Sequence, residues 1–141
     1  MLIRPATIAD APDIARLANQ LGYPVSDQQI AGRLTRLLGS AAHFIAVAAM
    51  PPSLVGWVAA ERRLLLESGE RVELVGLVVA STARRAGIGR ALVQAAEAWA
   101  VAQKLRVISV RSNVARAESH PFYERLGYTR TKTQHAYSKQ L

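Results

Sequence analysis

The segment that most restricts the fold lies just past the middle of the chain. The strand-forming run Val72-Glu73-Leu74-Val75-Gly76-Leu77-Val78-Val79 leads into Ser81-Thr82-Ala83-Arg84-Arg85-Ala86-Gly87-Ile88-Gly89, and a helix-patterned stretch follows over 90–103. Leu92, Val93, Ala96, Trp99 and Ala100 recur at helical spacing and predict one buried face. A strand, a glycine turn and a helix in that order set unpaired helix N–H donors and the positive end of the helix dipole beside the turn. Glycines let backbone approach an anion closely and turn its N–H groups inward. Arg84, Arg85 and Arg90 add charge at the same place, so the segment predicts a grip on phosphate. Two common phosphate motifs do not fit. Gly89 is followed by Arg90-Ala91 where a P-loop has Lys-Ser/Thr, and Leu92 stands where the dinucleotide fingerprint needs a third Gly or Ala. A plain strand-to-helix turn is the alternative reading of a bare Gly-x-Gly.

The charge distribution changes at the same point. The 141-residue chain carries a net charge of +8. Through Ala83, seven basic residues balance seven acidic ones; from Arg84 onward, eleven Lys and Arg face only Glu97, Glu118 and Glu124. Such asymmetry points to an anionic ligand (nucleic acid, an acidic lipid surface or a phosphorylated cofactor), with a solvated basic surface as the alternative. The chain has no cysteine, which excludes disulfides, thiolate nucleophiles and cysteine-ligated metals. No apolar run approaches the roughly 18 residues that span a bilayer. Met1-Leu2-Ile3-Arg4-Pro5 leaves no room for the apolar region of a signal peptide. A soluble, cytoplasmic protein is therefore expected.

The length suits one domain, 1–141, with no linker or repeat. Residues 2–4 read as a strand stopped by Pro5. Asp10 is placed to cap a helix with Pro12 in its first turn, an apolar stripe of Ile14, Leu17, Ala18 and Leu21, and Gly22 at its end. Ser26 and Gln29 form a capping box for a second helix that buries Ile30, Leu34, Leu37 and Leu38. Apolar runs over 43–49 and 55–62 joined by Met50-Pro51-Pro52-Ser53 predict a hairpin, and Glu67-Ser68-Gly69-Glu70 a turn. Residues 107–111 read as a strand, Pro121 opens a short helix ended by Gly127, and 128–139 alternates enough for one or two strands. Strands interleaved with helices give a mixed α/β or α+β sheet with helices on both faces.

The run Leu77-Val78-Val79 followed by Arg84-x-x-Gly87-x-Gly89-x-Ala91-Leu92 resembles the acetyl-coenzyme A signature of the GNAT superfamily of N-acetyltransferases. A second block, Ser112-Asn113, Arg116, Ser119-His120 and Phe122-Tyr123-Glu124-Arg125-Leu126-Gly127-Tyr128, resembles that family's later motif. The entry, Ile3-Arg4-x-Ala6-Thr7 and then Gln20-Leu21-Gly22-Tyr23-Pro24, resembles small bacterial members. The likeness runs through the whole chain in order. It implies a strongly twisted, mostly antiparallel sheet of six or seven strands flanked by four helices. The fourth and fifth strands would be parallel and splay apart, with the cofactor between them. Leu77, Val78 and Val79 would pair with the pantetheine arm, and the loop Arg84, Arg85, Ala86, Gly87, Ile88, Gly89 and Arg90 would hold the pyrophosphate.

The resemblance also implies the chemistry. An amine attacks the thioester of acetyl-CoA directly, with no acyl-enzyme, which agrees with the absence of cysteine. One group must take the ammonium proton and another must protonate the departing sulfur. Tyr123 matches the family's proton donor; the alternative is a core aromatic. Glu73, on the cofactor strand, is the candidate base acting through water, and a structural or substrate-binding carboxylate is the alternative, because other members carry their glutamate where this chain has Val75. His120 caps its helix or touches the cofactor, ahead of any catalytic role. Asn113 would hydrogen-bond the pantetheine arm or simply form a turn. His43 and His135 have no ligand-spaced partner, so no metal is expected.

The acceptor pocket is expected from residues 20–25, with Tyr23 as a lining residue, and from the hairpin over 63–71. Only Glu61, Glu67, Glu70 and Glu73 could make it acidic. The amine itself, on a small molecule or a peptide, is left open. Two other classes stay in view: a nucleic-acid module, disfavoured because the basic residues are punctuated by glycines and apolar positions, and a non-catalytic acyl-CoA-binding sensor or subunit. The resemblance further suggests a homodimer, with neither nucleic acid nor membrane as partner.

Overall fold

The computed structural model describes residues 1–84, 86–112 and 119–141. Residues Met1–Val110 form one compact unit and Arg111–Leu141 a second.

The first unit is built on a sheet whose strands β1 (Leu2–Pro5), β2 (His43–Met50), β3 (Ser53–Leu65), β4 (Gly69–Val79) and β5 (Ile108–Val110) lie side by side in chain order. The first four pair antiparallel, and β5 runs parallel to β4. Parallel strands need a crossover, and α3 (Ile88–Ala102) supplies it. Helices α1 (Ala11–Gln20) and α2 (Asp27–Leu38) connect β1 to β2. Ile14 and Leu17 of α1 and Leu34 of α2 are buried in one core with Ile45, Val47 and Val78 of the sheet. On α3, Leu92 and Ile88 come so close to Gly56 that a Cβ there would stand 3.0 Å from Leu92 Cδ1. Phe44 stacks on Trp99 with ring centroids 5.5 Å apart. Helices on both faces explain why the central strands read as nearly unbroken apolar runs.

The capping box is formed: the Gln29 N–H donates to Ser26 Oγ (3.1 Å) and the Ser26 N–H to Gln29 Oε1 (3.0 Å). Asp10 differs from expectation. Its side chain does not cap α1; it accepts the Thr7 N–H at 2.8 Å and a two-pronged pair from Arg4, both prongs at 2.8 Å. A short 3₁₀ turn, Ile8–Asp10, precedes α1, so the carboxylate closes that turn instead. The Arg4 guanidinium holds the Asp10 carboxyl below the usual aspartate range.

In the second unit, α4 (Ser119–Arg125) ends where Gly127 takes φ +93°. Among the described residues no strand lies in 128–139, so the sheet has five described strands rather than six or seven. The alternation there has no buried face to serve, because every residue from Thr129 onward is exposed. No described helix is long and apolar enough to cross a membrane.

Candidate functional site

β4 leaves the sheet at Val79, turns through the 3₁₀ segment Ser81–Ala83 and enters α3 at Ile88. Gly87 precedes the helix with φ +78°, the left-handed region in which a side chain is strained. Its carbonyl accepts the Ala91 N–H at 3.0 Å, while the first N–H groups of α3 keep no intrahelical acceptor. Arg84, Ala86, Gly87 and Arg90 are exposed, and the first turn of α3 holds no acidic residue. These groups fit an anionic phosphate. Arg85 and Asn113 lie outside the described residues.

The pairing of β4 with β5 is short. Val72, Glu73 and Leu74 stand opposite Ile108, Ser109 and Val110, and among the described residues 75–79 of β4 have no β5 partner. The unpartnered stretch contains Leu77, Val78 and Val79 and measures roughly 16 Å at about 3.3 Å per residue. It opens at a bulge: Ala59 pairs with Gly76 and Ala60 with Leu74, which leaves Val75 as the extra residue.

The bulge lets Glu73 and Gly76 share one face of the sheet with Ala59 and Glu61. Glu73 is only 8% exposed and accepts from Arg63 Nη1 at 3.3 Å on both oxygens. Arg63 Nε lies 3.8 Å from Glu61, whose other oxygen is 3.6 Å from His43 Nε2. Glu73 is therefore a buried carboxylate paired with an arginine. Glu70 belongs elsewhere: it pairs with Arg62, which also donates to Gln103 at the end of α3 and holds the Glu70 carboxyl below its usual range. Neither Arg63 nor the His43–Glu61 pair was singled out from sequence. The register of the turn at 66–68, which sets Arg63 opposite Arg71, is the signal that carries the first.

On the same face, a cavity of about 170 Å³ opens between the sheet and the helices α1 and α2. Ile30, Leu34 and Leu37 of α2, Trp57 of β3 and the bulged Val75 line it, with Arg33 as its charged member. Tyr23, half exposed in the loop between α1 and α2, is not among the lining residues.

In the second unit, the Tyr123 ring meets Phe122 and Tyr128 edge-on at 5.0 and 5.8 Å. His120 lies in the first turn of α4, which already begins at Ser119, so it does not cap the helix. Among the described residues no three His, Cys, Asp or Glu are grouped to hold a metal ion.

The fold is shared by many solved acetyltransferases. The aminoglycoside antibiotic 6'-N-acetyltransferase of Acinetobacter haemolyticus has 23% identity over 100% of this chain and 99% of its own, with a TM-score of 0.86. An aminoglycoside N-acetyltransferase solved in complex with CoA has 19% identity over 99% of this chain and 95% of its own, at a TM-score of 0.89. An acetyltransferase of Trypanosoma brucei has 21% identity over 98% and 99% of the two chains, at 0.83. No curated protein matches the sequence. The family model for GNAT acetyltransferases matches residues 12–128, and the chain belongs to that family.

Proposed function

We propose that the protein, as one acetyltransferase domain over 1–141, moves an acetyl group from acetyl-CoA directly to a primary amine. The observation that carries this reading is the run from the unpartnered end of β4 through the left-handed Gly87 into the bare N-terminus of α3. Arg84, Arg90 and the first N–H groups of α3 would hold the pyrophosphate, and the backbone of Leu77, Val78 and Val79 would pair with the pantetheine arm. Acetyl-CoA supplies an acyl group activated as a thioester.

The amine nitrogen forms the new bond to the acyl carbon as the carbon–sulfur bond breaks, and one proton leaves the nitrogen while one reaches the sulfur. Tyr123 is assigned the donation to sulfur. The partnership of Glu73 with Arg63 favours a second reading for the carboxylate: a fixed charge that orients the ammonium, with water taking the proton.

Calorimetric titration with acetyl-CoA, CoA and a short DNA duplex tests the reading. Saturable micromolar binding of acetyl-CoA, none of DNA, and its loss in Gly89→Trp are expected. A folded protein that binds no acetyl-CoA would overturn it. Binding together with thiol release that Tyr123→Phe leaves unchanged would move the proton transfer to another group. Binding without transfer to any amine would favour a sensor.

A further inference from the structure

The cavity between α2 and the bulge in β4 has a chemistry of its own. Its walls are aliphatic and aromatic, and Arg33 is the charged side chain among its described lining residues. Arg33 is exposed and makes no ion pair among the described residues. At about 170 Å³ the cavity is too small for a whole drug-sized ligand, which needs roughly 300 Å³ or more. It is close to the roughly 150 Å³ that accommodates a benzene molecule.

The position of the cavity follows from the strand geometry and rests on the acetyltransferase reading above. If phosphates sit at the Gly87 end of β4, an arm lying along 75–79 brings its reactive end to Val75, and Val75 is a wall of the cavity. The acceptor therefore meets this cavity beside the thioester.

Of the carboxylates that could welcome a polycation, Glu61, Glu70 and Glu73 are already engaged. Arg63 bridges Glu73 and Glu61, and Glu70 is held by Arg62. A cationic amino sugar would face carboxylates that already share arginines and, at the cavity, the free Arg33 guanidinium.

We infer that the acceptor is a primary amine carrying one apolar, ring-sized group and an anionic group, the chemistry of an apolar α-amino acid. The ring enters the cavity, and the carboxylate pairs with Arg33.

Thiol release from acetyl-CoA tests this with L-phenylalanine, L-leucine, glycine, phenethylamine and kanamycin as acceptors, alongside calorimetric binding of acetyl-CoA by the same sample. Turnover of L-phenylalanine or L-leucine is expected at a kcat/KM at least tenfold above glycine, which lacks the apolar group, and above phenethylamine, which lacks the anion. Arg33→Glu, at an exposed position that leaves the core intact, should lose about tenfold on L-phenylalanine through KM and none on phenethylamine. Ala59→Phe should fill the cavity and abolish the advantage over glycine, with its circular dichroism spectrum checking the fold. If acetyl-CoA is bound and kanamycin is preferred, or the amino acids are not acetylated, or Arg33→Glu changes nothing, the inference is overturned; the acetyltransferase reading stands wherever any of these amines is acetylated. Failure to bind acetyl-CoA would overturn both.

Discussion

Trp57 lies across Gly76 on the neighbouring strand, so that a Cβ on Gly76 would stand 2.7 Å from Trp57 Cζ3. The glycine is what lets the indole lie flat enough to wall the cavity. Gly76→Ala is expected to displace the ring and destabilise the fold by about 1–3 kcal/mol, the usual cost of overpacking. Urea unfolding reads the loss, and a rise in acceptor KM with little change in acetyl-CoA affinity reads the displaced wall.

Arg63 is a counterion of the buried Glu73. Arg63→Gln removes this counterion and is expected to cost about 1–3 kcal/mol, below the full penalty for a buried pair because Arg63 is itself partly exposed. Adding Glu73→Gln should restore part of that stability. A double-mutant cycle by denaturant unfolding measures the coupling.

The Arg4–Asp10 pair predicts an acid-side dependence of stability. The Asp10 carboxyl is held below its unfolded value, chiefly by the Arg4 hydrogen bonds. Its contribution is therefore fully present above the ordinary aspartate range, about pH 4, and drains away as pH falls through the folded value. Asp10→Asn is expected to be less stable near neutrality by about 1–3 kcal/mol, and its unfolding curve should converge with that of the parent chain at low pH.

Gly87→Val forces a β-branched residue into the left-handed region, at about 1–2 kcal/mol. Thermal unfolding should register that strain, and calorimetry a weakened grip on acetyl-CoA.

Much of the architecture was legible because it depends on local signals. Ser26 and Gln29 announce their helix within four residues, and Gly87 and Gly89 mark the start of α3 by sequence alone. The candidate site was harder to see, since its geometry comes from register. Nothing near Glu73 in the chain reveals Arg63, ten positions away across a turn, and nothing near His43 reveals Glu61. Asp10 was misread for a related reason: a capping residue and the closing residue of a turn look alike until Arg4 is placed beside it. The tail 128–139 carries a strand's alternation without a neighbour that gives it a buried side.

The extra residue at Val75 shifts the phase of β4. Ahead of it the odd-numbered Glu73 points to the same side of the sheet as the even-numbered Gly76 and Val78 behind it. One strand thus contains two independently editable half-sentences. Substitutions at 71 and 73 act on the end of the strand that holds the Arg63–Glu73 pair, while those at 76 and 78 act on the end that packs against Trp57. Deleting one residue at the join would scramble both, so this strand tolerates exchange far better than it tolerates a change of length.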